Sequence, residues 1–170
     1  MILPIRYYGD PVLRKKAEQI QEITDEIRKT AEDLVESLYA EKGLGLAAPQ
    51  VGISIRMIAI DAGEKRGDAF VLINPVVTKA DKEVIMEEGC LSFPGIFGKI
   101  SRPSRIEIKA LRITGEEVQL NLDGLECRAV LHEIDHLDGV LFIDRMSSVH
   151  KIVIAPKLKK LIKVRRSEPV

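Results

Sequence analysis

The chain has 170 residues, 45% of them hydrophobic and 31% charged, which is ordinary globular usage and enough length for one buried core. Its 26 Lys and Arg balance 26 Asp and Glu, a neutrality that argues against a general nucleic-acid binder. Residues 1–5 run straight into Arg6 and a polar stretch, so no signal-peptide core is expected, and no apolar run approaches the length of a membrane span.

In chain order, the turn-forming segment Gly9-Asp10-Pro11-Val12-Leu13-Arg14 comes first. Thr24 is then placed to cap a helix with Asp25 and Glu26 in its first turn. Its apolar stripe is Ile27, Ala31, Leu34, Val35 and Leu38, and it should end near Gly43. Residues 43–52 are apolar and glycine-punctuated, with one amide, Gln50; taken alone they read as a helix stop followed by a packed loop. They are no phosphate cradle, because no lysine followed by Ser or Thr succeeds the glycines. Residues 55–60, 70–73 and 84–87 read as short strands, 105–113 alternates, and Thr114-Gly115 turns into a strand over 118–122. Within residues 87–95, glycines and Pro94 bracket Cys90 and can bend the backbone to aim a thiolate. Taken singly, Cys90 reads as a buried structural cysteine.

Residues 132–136, His-Glu-Ile-Asp-His, carry the most chemistry. Four residues advance a helix by roughly 400°, so His132 and His136 stack on one face and can ligate one ion. Glu133 lies roughly 100° round from His132, close enough to reach a water beside that ion yet badly placed to ligate it, which suits a general base in metal-assisted hydrolysis. The helix itself is credible: Asp123 and Gly124 precede an apolar run of Leu125, Ala129, Val130, Ile134 and Leu137, and Gly139 follows as a left-handed stop. A third ligand decides the enzyme class. The metzincin pattern fails because Phe142 stands where its third histidine would be. Cys90, His150 and several acidic residues remain. Cys127 lies roughly 140° from His132 on the same helix and reads as a small buried hydrophobe.

Taken together, residues 43–52, the Glu88-Gly89-Cys90-Leu91-Ser92 segment and residues 132–136 resemble the peptide deformylase family in identity and order, and residues 9–14 look like that family's entry segment. The resemblance implies that Cys90, His132 and His136 bind a metal and that Glu133 moves the proton. It implies further that Gln50 and the Leu91 N–H hold the oxyanion, and that Gly45 lets a peptide backbone approach. Leu131 departs from the family, which often has glutamine there. Softness of the ligands favours zinc; the resemblance implies Fe(II), with nickel or cobalt as active substitutes. The implied activity is removal of the formyl group from N-formylmethionyl nascent chains, and the implied compartment is the cytoplasm. That compartment agrees with two cysteines of which one is a ligand, leaving no pair for a disulfide.

The fold expected is α+β, with antiparallel strands around the metal-binding helix, an N-terminal helix and a basic C-terminal one, in a single catalytic domain over 1–170. Residues 147–170 form its basic extension: Lys151, Lys157, Lys159, Lys160, Lys163, Arg165 and Arg166 face only Glu168, and Pro156 is placed to open a helix. Such a helix is a solvated face or a contact with the ribosome near emerging chains. No sequence-specific nucleic acid and no membrane are expected as partners. Glu88 and Arg102 are expected to pair and hold the Cys90 loop. Gly89, Val130 and Gly45 are expected at the substrate, with Ile85, Glu87 and His132 among the pocket walls. Two other readings stand beside the deformylase: a zinc peptidase cutting internal bonds, and a ribosome-associated module with a structural metal.

Overall fold

The computed structural model describes the backbone of residues 1–167 and the side chains of residues 1–164. Among the described residues, three α-helices accompany one five-stranded antiparallel sheet of order β1-β2-β3-β4-β5. The strands are β1 (Gly45–Ala47), β2 (Met57–Ile60), β3 (Phe70–Gly89), β4 (Phe97–Leu111) and β5 (Glu117–Asp123). The helices are α1 (Asp25–Ala40), α2 (Gly124–Leu137) and α3 (Ser148–Ser167).

Strand alternation sends β2 into two cores. Met57 and Ala59 join Leu34, Leu38 and Leu46 on the α1 side, whereas Ile58 and Ile60 join Val130, Ile134 and Leu137 on the α2 side. Both helices therefore grip the sheet from opposite faces, and each fully buried leucine contributes about 2 kcal/mol of hydrophobic stabilisation. Helix α1 starts where its chemistry dictates, with the Thr24 hydroxyl accepting the Ile27 N–H.

The central strands differ from the sequence expectation. Residues 70–73 and 84–87 belong to one strand, β3, whose middle is polar and exposed because beyond Val76 it pairs only with β4. Register shifts between Ile73 and Val76 and between Val77 and Lys79 bend this long ribbon. Gly89 pairs with Phe97, so residues 90–96 form the loop of a hairpin and Cys90 is the first residue past the strand. Phe93 anchors that loop, stacked 5.0 Å from Tyr8 and edge-on 5.1 Å from Phe142.

Helix α3 does not begin at Pro156. It starts at Ser148, where the Ser147 hydroxyl accepts the His150 N–H, and Pro156 lies inside it. Ile154, Leu158 and Leu161 pack on either side of the proline, and this burial offsets the hydrogen bond that the proline cannot make. The lysines at 157, 159, 160 and 163 are exposed; the side chains of Arg165 and Arg166, and Glu168, lie outside the described residues.

Helix α2 stops at Gly139, whose φ of +71° favours glycine. A Cβ there would lie 2.6 Å from the Arg14 carbonyl oxygen. Gly139→Ala should therefore lower the unfolding free energy by about 2 kcal/mol, read as a lower urea midpoint at unchanged slope. An unchanged midpoint would contradict this close approach.

Candidate metal centre

The hairpin loop and helix α2 bring three donors together. Cys90 Sγ and one imidazole nitrogen from each of His132 and His136 lie within 4.8 Å of one another, the one such cluster among the described residues. Sγ is 3.3 Å from His136 Nε2. His150 takes no part; its Nε2 sits 3.2 Å from the Phe97 carbonyl. Cys127 is fully buried in the α2 core, 3.4 Å from the Pro103 carbonyl.

A buried charge network fixes the helix against the ribbon. Arg102 on β4 donates twice to Glu88 on β3, from Nε at 2.6 Å and Nη2 at 3.0 Å, and once to Asp135 on α2 at 2.8 Å. Arg128 donates to Glu88 at 2.6 Å, and Arg145 holds Asp135 through two bonds of 2.6 and 2.8 Å. Glu88 Oε1 is 2.9 Å from His132 Nδ1, an arrangement that places the proton on Nδ1 and leaves Nε2 for a cation. Burial works to raise the Glu88 carboxyl, but hydrogen bonds from His132 and Arg102 outweigh it and bring the group down to about 2. Sequence reasoning missed Arg128, Asp135 and Arg145. The first two were signalled by helical spacing, since 128, 132 and 135 share one face.

The other wall comes from β1 and the turn after it. A Cβ at Gly45 would meet Glu133 Cγ and Oε1 at 2.8 Å, so the close neighbour that requires glycine here is the Glu133 carboxylate. Glu133 Oε2 is buried without a hydrogen-bond partner, and burial pushes the group up to about 7. Gln50 is buried as well, with Oε1 accepting the Ala47 N–H at 2.9 Å. Its Nε2 is thereby aimed at Ser92 Oγ (3.2 Å) and Cys90 Sγ (3.6 Å).

These donors fit a divalent cation. Burial, reinforced by the charges of His132 and Arg102, holds the His136 imidazole neutral and able to ligate. At His132 burial is outweighed by the Cys90 sulfur and Glu88, which favour positive charge at that ring. A proton or a metal ion can supply it. The Glu133 carboxyl lies near enough to His132 to favour that charge as well.

The cluster opens into a cleft of about 550 Å³ between β1 and the end of β3. Gly45, Gly89 and Leu91 line it, as do Glu87 and His132. Val130 does not: it is fully buried in the core, because it lies two residues and roughly 200° before His132 and points into the sheet. Ile85 is likewise away from the cleft, 67% exposed on the ribbon. Leu125 and Ala129 occupy the wall instead, on the stripe that leads at four-residue steps to Glu133.

Comparison with known proteins agrees with this geometry. The polypeptide deformylase family matches residues 2–152. The chain is 43% identical over 160 residues to a peptide deformylase of Thermodesulfovibrio yellowstonii, covering 93% of this chain and 97% of that one. It is 46% identical over 153 residues to one from Halothermothrix orenii, covering 90% and 99%. The crystal structure of peptide deformylase from Plasmodium falciparum superposes with a TM-score of 0.92 at 38% identity, covering 98% of this chain and 99% of that one. These similarities do not favour a peptidase of internal bonds. The chain belongs to the polypeptide deformylase family.

Proposed function

We propose that Cys90, His132 and His136 hold the divalent ion of a deformylase, that Glu133 carries the proton, and that Gln50 and the Leu91 N–H hold the developing oxyanion. Family membership makes the chain a metal-dependent hydrolase that removes the N-formyl group from nascent peptides. The observation that carries the residue assignment is the buried Glu133 carboxylate, with one oxygen unpartnered, beside the three converging donors.

When bound, the ion supplies Lewis acidity that polarises the formyl carbonyl and activates water. Glu133, lifted to about 7, accepts the proton from the attacking water near neutral pH and then passes it to the leaving amine, freeing formate and the new N-terminus. The Gln50 amide cannot turn without breaking its bond to the Ala47 N–H, so its donor is in place before the oxyanion forms. The substrate peptide enters the cleft between the edge of β1 and the end of β3, which Gly45 and Gly89 line. Glu88 and Arg102 hold His132 and the end of β3 in place.

Iron(II) is the ion we assign, with zinc, nickel or cobalt as substitutes, since a thiolate with two imidazoles accepts all four. We assign the whole chain to one catalytic domain acting in the cytoplasm; among the described residues, no helix is long and apolar enough to cross a membrane. The exposed lysines of α3, with exposed Val149, Ile152 and Val153 beside them, support contact with the ribosome near emerging chains.

Replacing Cys90, His132 or His136 with Ala should remove stoichiometric metal, measured by plasma emission on purified protein, because two ligands hold a divalent ion weakly. Full occupancy in Cys90→Ala would refute its assignment. Glu133→Ala should keep the metal yet lose at least about 10³-fold in formate release from formyl-Met-Ala-Ser, and Gln50→Ala about 10²-fold in kcat. Near-normal turnover in metal-replete Glu133→Ala would sink the mechanism. Formyl-Met peptides should exceed their acetyl counterparts in kcat/KM, since the added methyl must enter a tightly packed site; equal values would overturn the substrate assignment.

A further inference from the structure

Strand β1 is a weak wall for a binding cleft. It has three residues, lies at the edge of the sheet and is held by three residue pairs with β2. Its approach, residues 43–45, nevertheless borders the cleft and touches the reacting centre from two directions. A Cβ at Gly43 would meet Leu91 Cδ1 at 2.8 Å, and one at Gly45 would meet Glu133. A short edge strand under such tight constraints needs an anchor outside the sheet.

The loop after β2 supplies one. Asp61 is 3% exposed, and its Oδ2 accepts the Tyr39 hydroxyl and the Gly67 N–H, each at 2.8 Å. Those bonds turn the loop back over the end of α1, and the Ala69 N–H donates to the Tyr39 oxygen at 2.9 Å to close the other side. Arg66 then reaches across with its guanidinium 5.9 Å from the Tyr39 ring centroid. Nη1 donates to the Asp61 carbonyl and Nη2 to the Gly43 carbonyl, both at 2.6 Å. The Asp61 N–H donates in turn to the Leu44 carbonyl at 2.9 Å. Gly43 and Leu44 are thus tied to one loop by a charged fork and a backbone bond.

We infer that Arg66 and Asp61 are positioning residues for the peptide-binding wall at Gly43 and Leu44, setting affinity for the part of the substrate beyond its first residue. The inference rests on the deformylase reading of the cleft. Neither residue bonds to the metal ligands, Glu133, Gln50 or Gly45, and Gly45 is held against Glu133 by its own pairing with Ile60, so bond cleavage on the shortest substrates does not depend on them. A longer peptide lies against Leu44 and Gly43 and does. Lysine replaces the fork only in part, because a single ammonium on a flexible stem reaches one carbonyl and does not span two in fixed geometry.

The test is steady-state kinetics of the iron-loaded protein on formyl-Met-Ala-Ser and on formyl-Met amide. Arg66→Ala should raise KM for the tripeptide by about tenfold with kcat within about twofold, while kcat/KM for the amide stays within about twofold. Arg66→Lys should recover part of the loss, and Asp61→Asn should shift the tripeptide KM in the same direction. Metal content should match the wild type in all three. Equal losses on both substrates, a loss confined to kcat, or no change would overturn the inference; if Arg66→Ala does not fold, Arg66→Gln is read by the same criteria. Wild-type protein that releases formate from neither substrate would overturn the deformylase reading, and this inference with it.

Discussion

The Glu88 carboxylate, buried between Arg102, Arg128 and His132, is the contact on which the rest of the site depends. It sits on β3 two residues before Cys90, so it joins the strand that delivers the Cys90 sulfur to the helix that delivers both imidazoles. One oxygen accepts from Arg102 Nε and Arg128, while the other meets Arg102 Nη2 and His132 Nδ1. Buried ion pairs of this kind add little net stability over a packed apolar core, but removing one partner strands a charge at a cost of about 3–5 kcal/mol. The network therefore acts chiefly as a device for geometry. It fixes the relative position of Cys90, His132 and His136, contributed by two elements, and orients the His132 ring through Nδ1.

Close packing on the opposite wall complements that electrostatic frame. Glycines at 43, 45 and 89 each stand where a Cβ would collide with Leu91, Glu133 or Phe97 at 2.8 Å. Glu133, the loop that carries Cys90 and the Phe97 ring are thereby packed against bare backbone. A desolvated carboxylate with an unpartnered oxygen is costly in isolation, and its retention here agrees with a role in proton transfer.

Much of this was legible in the sequence where local rules act alone. The Thr24 cap and the apolar stripe of α1 define a helix that forms as read, and the spacing of His132 and His136 places both rings on one face. The deviations arise where tertiary context overrides local pattern. Residues 45–47 form a strand because β2 offers them an edge, which glycine and alanine would not reveal. The polar middle of β3 carries no apolar alternation because one edge of that ribbon is open and both faces are wet. Pro156 looks like a helix start by propensity, yet burial of Ile154, Leu158 and Leu161 holds a longer helix through it. Val130 neighbours the ligands in sequence but faces the sheet, so proximity along the chain misled where helical phase would not.

The central claim is that the Glu88–Arg102 pair holds the metal site in its ligating shape, and a double-mutant cycle on Fe(II) affinity tests it most directly. Glu88→Gln and Arg102→Leu should each weaken metal binding by about 10–100-fold in chelator competition, with the double variant no weaker than the worse single one. Additive losses, or single variants that bind iron as tightly as the wild type, would contradict it.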